Sequence, residues 1–214
     1  MNQAERYAKI ASFVQGRLEN MAAEYPSEWH DPVYRWEHTL RVAQYGQQIA
    51  KSEGAAVEIV TAACLLHDVA HFDPLENYKD HGREGARLSR PLLAALDYND
   101  EQVEAICYAI AVHVDDKADF EHPHTLEADI LSDADNIDRF GAFRILQWCA
   151  PLMDDFGALA RNLRERVTHL EGYLAQSPLA TPAGQELFAR QLQRQVTFFN
   201  ALIDEYDLSR MPGG

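Results

Sequence analysis

Apolar residues recur at three- and four-residue spacing along almost the whole chain, and no segment sustains a period-two alternation. The first spacing is that of a helix with one buried face, whereas alternation would mark a half-buried strand. The pattern therefore predicts an all-α protein. Tyr7, Ile10, Phe13, Val14, Leu18 and Met21 form the stripe of a helix over residues 3–25, stopped by Pro26. A loop holding Pro26 and Pro32 leads to a helix over 34–53, with Gly54 as its stop. The run Ile59–Leu66 is apolar on every side, the pattern of a buried helix, here predicted over 56–71 and ended by Pro74. After a polar loop over 72–82, a helix over 83–96 is expected to bend or split at Pro91. Asn99 and Gln102 make a capping box for a helix reaching His113. Helical patterns follow over 125–140, 142–153 and 156–176, and Thr181-Pro182 opens a last helix ending near Tyr206. Met211–Gly214 is expected to fray.

No repeat, low-complexity stretch or long linker interrupts this series. The expectation is one compact helical unit over 1–214, with the C-terminal helices, about 156–207, packed against its core. Hydrophobic content of 47% with 25% charged residues is that of a globular protein. A net charge of −15 argues against nucleic acid as the partner, because polyanions repel one another. A small phosphate ester stays compatible, since a bound cation and a few local Arg or Lys side chains override the global sign. Cys64, Cys107 and Cys149 have no paired spacing and sit in apolar helical surroundings, which points to buried free thiols in a reducing compartment. Cys64, one turn before His67, is read as core packing in preference to an extra ligand. No signal-peptide core or membrane-length run is present, so the chain reads as cytoplasmic, with no membrane partner.

The stretch Leu65-Leu66-His67-Asp68-Val69-Ala70-His71 closes the buried run with groups that a buried helix does not need. Charge taken out of water costs several kcal/mol unless it is paired or bound to a metal. Imidazole and carboxylate donors suit Zn, Mn, Fe, Co or Ni ions. A helix end with Asp68 and His71 in solvent is the plainer reading, and the pair alone does not choose. His38 faces inward beside Val42 and Tyr45, and Asp135 shares a helical side with Leu131. Neighbouring helical residues diverge by about 100°, so His67 and Asp68 share an ion only if it lies over the gap between them. Further ligands then come from other helices.

The segments "WEHTLRVAQYGQQIAKSEGA", "AACLLHDVAHFD", "DHGREGARL", "AIAVHV" and "SDADNIDRFGAFRI" resemble, in order, the HD superfamily of metal-dependent phosphohydrolases. The resemblance covers a metal-site core of about 30–150, and the tail "TPAGQELFARQLQRQVTFFNALIDEYDL" is similar to that of a bacterial branch of stand-alone HD hydrolases. It implies an all-α HD-domain bundle and the metal ligands His38, His67, Asp68 and Asp135, the last preferred to Asp133 and Asp138 because it aligns with the family's Ala-Asp. His81 and His113 fit the pattern of HD proteins that hold a second metal, with Asp68 as bridge; otherwise they are a loop residue and a helix C-cap. His122 and His124, in the acidic loop after Asp115, read as solvated.

The chain departs from the family at His71, where some members carry Glu, Lys or Arg, and at Tyr34-Arg35, where close relatives carry His-Asp. His71 is a candidate general acid or base, or a phosphate contact. Asp68 would bind the ion and orient the nucleophile, while Lys79, Arg83, Arg87 and Arg144 are candidates to hold substrate phosphate. The implied activity is hydrolysis of a phosphate ester or phosphoanhydride, with a nucleotide as the leading substrate. The implied cofactor is one or two divalent ions: Mn, Fe, Ni, Co or Zn, or Mg. Two alternatives are a diiron HD-type oxygenase acting on a small polyol or phosphonate, and a non-catalytic metal-binding module.

Overall fold

In a computed structural model, residues 1–209 are described; the expected fraying of Met211–Gly214 lies outside them. Among the described residues there is no strand, as the periodicity predicts. The helices are α1 (Gln3–Glu24), α2 (Pro32–Glu53), α3 (Val57–Leu66), α4 (His81–Ala95), α5 (Asp100–Val112), α6 (Leu126–Arg139), α7 (Ala142–Cys149), α8 (Phe156–Ala175) and α9 (Pro182–Leu208). Short 3-10 turns lie at Tyr78–Asp80 and Ala150–Leu152. The chain divides into two compact units, Met1–Asp135 and Asn136–Gly214.

Local chemistry accounts for most helix ends. Asp31 caps α2 by accepting from the Val33 and Tyr34 amides, with Pro32 in the first turn, and Gly54 closes it at φ 72°. At α5 the Asn99 side chain accepts from the Gln102 amide while Gln102 accepts from the Asn99 amide, a reciprocal capping box. Thr181 caps α9 through the Gly184 amide, with Pro182 next.

Several places differ from the sequence expectation: Pro32, expected in the loop, opens α2, and α4 begins at His81, inside the expected polar loop. Pro91 does not split α4, which runs through it from His81 to Ala95. Pro91 is exposed, and the buried face Gly82, Gly85, Ala86, Ser89 and Leu93 holds the helix across the missing hydrogen bond. The third helix is shorter than its apolar pattern: α3 ends at Leu66. From there Val69, His71 and Asp73 donate to the carbonyls three residues back, Leu66, Asp68 and Ala70, at 3.0–3.1 Å. Such tighter turns bring residues i and i+3 into line.

In the first unit α3 is the axis. Ile59 to Leu66 are all buried, and α1, α2 and α5 pack around the helix. Two glycines permit close approach. A Cβ at Gly46 of α2 would stand 2.6 Å from Cys64 Sγ, so α2 lies directly on α3. A Cβ at Gly82 of α4 would stand 2.8 and 2.9 Å from the Ala111 and Ile110 carbonyl oxygens of α5. In the second unit α8 and α9 pair along their lengths around Phe188, Leu192, Val196, Leu163 and Leu170.

Candidate metal centre

Three histidines of the first unit end helical segments in the same way. His67 is the C-cap of α3, His113 the C-cap of α5, and His81 follows the turn Tyr78–Asp80. The last carbonyls of a helix have no partner within it. Each ring turns back to a carbonyl three residues earlier: Nδ1–H donates to the Cys64, Tyr78 or Ile110 carbonyl, each at 2.7 Å, the Tyr78 carbonyl also accepting the His81 backbone N–H. A carbonyl only accepts, so the proton is fixed on Nδ1 and the Nε2 lone pair is turned inward.

Those Nε2 atoms meet at Asp68, which is 3% exposed. Its Oδ2 lies 3.3 Å from His67 Nε2 and 3.5 Å from His38 Nε2, and those two nitrogens are 3.3 Å apart. Asp135 joins this side, with Oδ1 at 3.2 Å from His38 Nε2. The other oxygen, Oδ1, lies 3.3 Å from His81 Nε2, 3.3 Å from His71 Nδ1 and 3.8 Å from His113 Nε2. The tight turns after α3 stack His71 over Asp68 in this way. His67 is fully buried and His38 and His81 nearly so.

Burial pushes Asp68 toward neutrality, yet His67, His71 and Arg35 around it hold its carboxyl well below the usual carboxylate range. Asp135 is also held low, its desolvation outweighed by the hydrogen bond from His38. Burial pulls His71 down to about 4 despite Asp68 beside it, which keeps its ring uncharged near neutral pH.

Whether these residues fit a metal ion follows from the donors. Ligand atoms on bonds of about 2.1 Å stand about 3.0–3.4 Å apart in octahedral or tetrahedral geometry, close to the spacings found. Two donor sets qualify, His38-His67-Asp68 and Asp68-His71-His81, each with ligand atoms within 4.8 Å of one another. They share Asp68, one oxygen facing each set. Inward lone pairs on buried nitrogens repel unless a cation lies between them, so the cluster could hold a divalent metal.

Of the other residues singled out from sequence, Arg83 is engaged by Asp115 at 2.9 Å and Asp80 at 2.5 Å. Arg87 pairs with Glu84, Lys79 is exposed, and Arg144, in the second unit, bonds Gln147 at 2.8 Å. Cys64 packs against α2, its thiol pushed up by burial. All three cysteines are free and buried. His124 is exposed and pairs with Asp129.

Sequence reasoning passed over two groups at the cluster. Arg35 Nη1 donates to Asp68 Oδ2 at 2.6 Å, and Tyr78 Oη lies 3.1 Å from His71 Nδ1. Arg35 had registered only as a departure from a familiar pattern, and that departure was the available signal.

Residues 35–139 match the HD domain family. This segment is an HD domain. A predicted HD superfamily hydrolase from an uncultured Thermotogales bacterium superposes with a TM-score of 0.68 at 21% identity, covering 96% of this chain and 99% of that one. An HD-superfamily hydrolase from Bacillus thuringiensis gives 0.69 at 19% identity, with the same coverage of 96% and 99%. Bacillus subtilis YpgQ, solved in complex with ADP, gives 0.65 at 20% identity over 100% of this chain and 98% of YpgQ. By sequence, an uncharacterized protein of Clostridium beijerinckii is 32% identical over 97 residues, 44% of this chain. The match spans 62% of that relative's length. All three structures share the all-α HD fold found here.

Proposed function

We propose that this HD-superfamily protein is a metal-dependent phosphohydrolase acting on a phosphate ester or phosphoanhydride, with nucleotides as the substrate class. The observation that carries the reading is Asp68: one buried carboxylate offers each oxygen to a separate set of inward-facing imidazole nitrogens. His38, His67, Asp68 and Asp135 would hold the first ion, and Asp68, His81 and His113 a second, within a core of about 30–150. Bound there, a divalent ion makes hydroxide available from water near neutral pH and polarises a phosphoryl oxygen. His67, His81 and His113 keep their protons on Nδ1 and so stay ready to ligate. His71, between Asp68 Oδ1 and the Tyr78 hydroxyl, is placed to take or return a proton. The ADP bound by YpgQ supports the choice of nucleotides. The three buried free thiols support a reducing, cytoplasmic setting.

Elemental analysis of the purified protein, then phosphate and pyrophosphate release from a nucleotide panel with the metal found, tests this. Turnover by the wild type and none by Asp68→Ala is expected. Metal-replete protein silent across the whole panel defeats the reading. The shared carboxylate also suits a pair of irons, the oxygenase alternative. A sample holding two irons and consuming oxygen would select it.

A further inference from the structure

Asp68 carries one partner that is not an imidazole. The Arg35 guanidinium, on α2 three residues before His38, donates from Nη1 to Asp68 Oδ2 at 2.6 Å. That is the same oxygen that His38 and His67 approach at 3.5 and 3.3 Å. The Arg35 side chain is 16% exposed, and its Nε is buried with no hydrogen-bond partner.

An ion held by His38, His67 and Asp68 would compete with the guanidinium for Oδ2. Arg35 would then face a like charge and a weakened acceptor, while its stem stays held in α2. A buried guanidinium left with unmatched donors calls for an anion, and its planar fork suits phosphoryl oxygens. Of the other first-unit cations singled out from sequence, Arg83 is committed to Asp80 and Asp115 and Arg87 to Glu84, while Lys79 is an exposed side chain. We propose that Arg35 is the phosphate clamp of this site, capping Asp68 until the ion binds and then turning to the non-bridging oxygens of a phosphoryl group. Metal and phosphate binding are thereby coupled, each strengthening the other. The inference takes its ligand from the phosphohydrolase reading; its test does not need turnover.

The test is calorimetric titration of inorganic phosphate into the full chain, metal-stripped and loaded with the metal identified by elemental analysis. Wild type, Arg35→Gln and Arg35→Lys are compared, with metal content measured for each. Loaded wild type is expected to bind phosphate more tightly than stripped protein. Arg35→Gln, with metal content unchanged, is expected to bind about tenfold to a hundredfold more weakly, the loss of a charged hydrogen-bonded contact. Arg35→Lys, which keeps the charge and loses the fork, should fall between, and it decides the matter if the glutamine variant does not fold. On a turned-over substrate, Arg35→Gln should raise KM more than it lowers kcat. Phosphate affinity within twofold of wild type in either loaded variant overturns the clamp. So does loss of the ion from Arg35→Gln, which would make Arg35 a structural counterion. Phosphate binding that depends on Arg35 in a protein without turnover keeps the clamp and sinks the hydrolase; turnover with Arg35-independent phosphate binding does the reverse.

Discussion

Around Asp68 the first unit buries what folding normally keeps in water: His38, His67, His81 and His113 close on one carboxylate, with Arg35 and Asp135 beside it. Apart from Asp138, Thr181, Gln191 and Gln195, the second unit buries apolar surface. Phe140, Tyr173 and Phe188 meet edge-on or tilted at centroid distances of 5.0–6.0 Å, and Arg166 lies over the Phe140 and Trp148 rings at 5.0 Å. A cleft of about 540 Å³ in the same unit is lined by Ile145, Leu146, Phe156, Leu163, Phe198 and Leu202. The contrast separates two uses of an interior. Apolar packing lowers free energy by itself. A converging polar cluster does not, because desolvating each group costs more than the hydrogen bonds return unless a cation completes the set. The apolar arrangement of the second unit needs no ligand to explain it, while the polar cluster of the first could hold a metal ion.

The largest effect should come from removing the carboxylate that both donor sets share. Asp68→Ala is expected to abolish turnover and reduce bound metal to background. A chelator should lower the melting temperature of the wild type and leave that of Asp68→Ala unmoved. Stability conferred by an ion at a hundredfold over its dissociation constant is about 2.7 kcal/mol, and a wild type indifferent to chelation would erase the contrast between the units. In the second unit, Phe188→Ala truncates a ring that is 1% exposed. Denaturant unfolding should show a loss of about 3–5 kcal/mol, with metal stoichiometry per folded molecule unchanged.

Two glycines sharpen the comparison at the scale of one methyl group. Gly82→Ala places a Cβ against the Ala111 and Ile110 carbonyls and within 3.3 Å of His113 Nδ1. Overpacking there should cost roughly 1–3 kcal/mol and loosen the ion nearest His81 and His113, read as a weaker second metal-binding step. Gly172, inside α8, has nothing within 4 Å of an added Cβ. Gly172→Ala should stabilise by about 0.5–1 kcal/mol through helix propensity, with no change in metal binding. Equal responses at the two positions would refute the idea that α4 and α5 are held at a distance the site requires.

Much of this was legible in the chain itself. The helix starts at Asn99 and Thr181-Pro182 were readable because a cap is a contract between residues two to four apart, whereas Pro32, read as a loop breaker, in fact opens α2 under the Asp31 cap. Pro91 misled, because a proline states what bond is missing and says nothing of the packed face that carries the helix across it. The end of α3 misled for a related reason. Hydrophobicity continues through Val69 and Ala70 and Phe72, all buried, although the backbone has already tightened after Leu66. Of the site, His38, His67, Asp68 and Asp135 were nameable from motif order, and the structure does bring them together. His81 and His113 were nameable as ligands of a second metal or, otherwise, as a loop residue and a helix C-cap. The structure buries both rings, turns each Nδ1–H to a backbone carbonyl and leaves each Nε2 facing Asp68.

The sequence by itself determined the all-helical build and many helix boundaries, because these depend on periodicity, caps and residue chemistry within a few positions, and its motif order named the candidate donors. Only the tertiary structure decided which oxygen of Asp68 faces which imidazole, that Arg35 reaches that carboxylate, and that Arg83 and Arg87 are committed elsewhere. Those outcomes turn on ångström-scale distances between helices far apart in the chain, set by close contacts at Gly46 and Gly82 that no local pattern encodes.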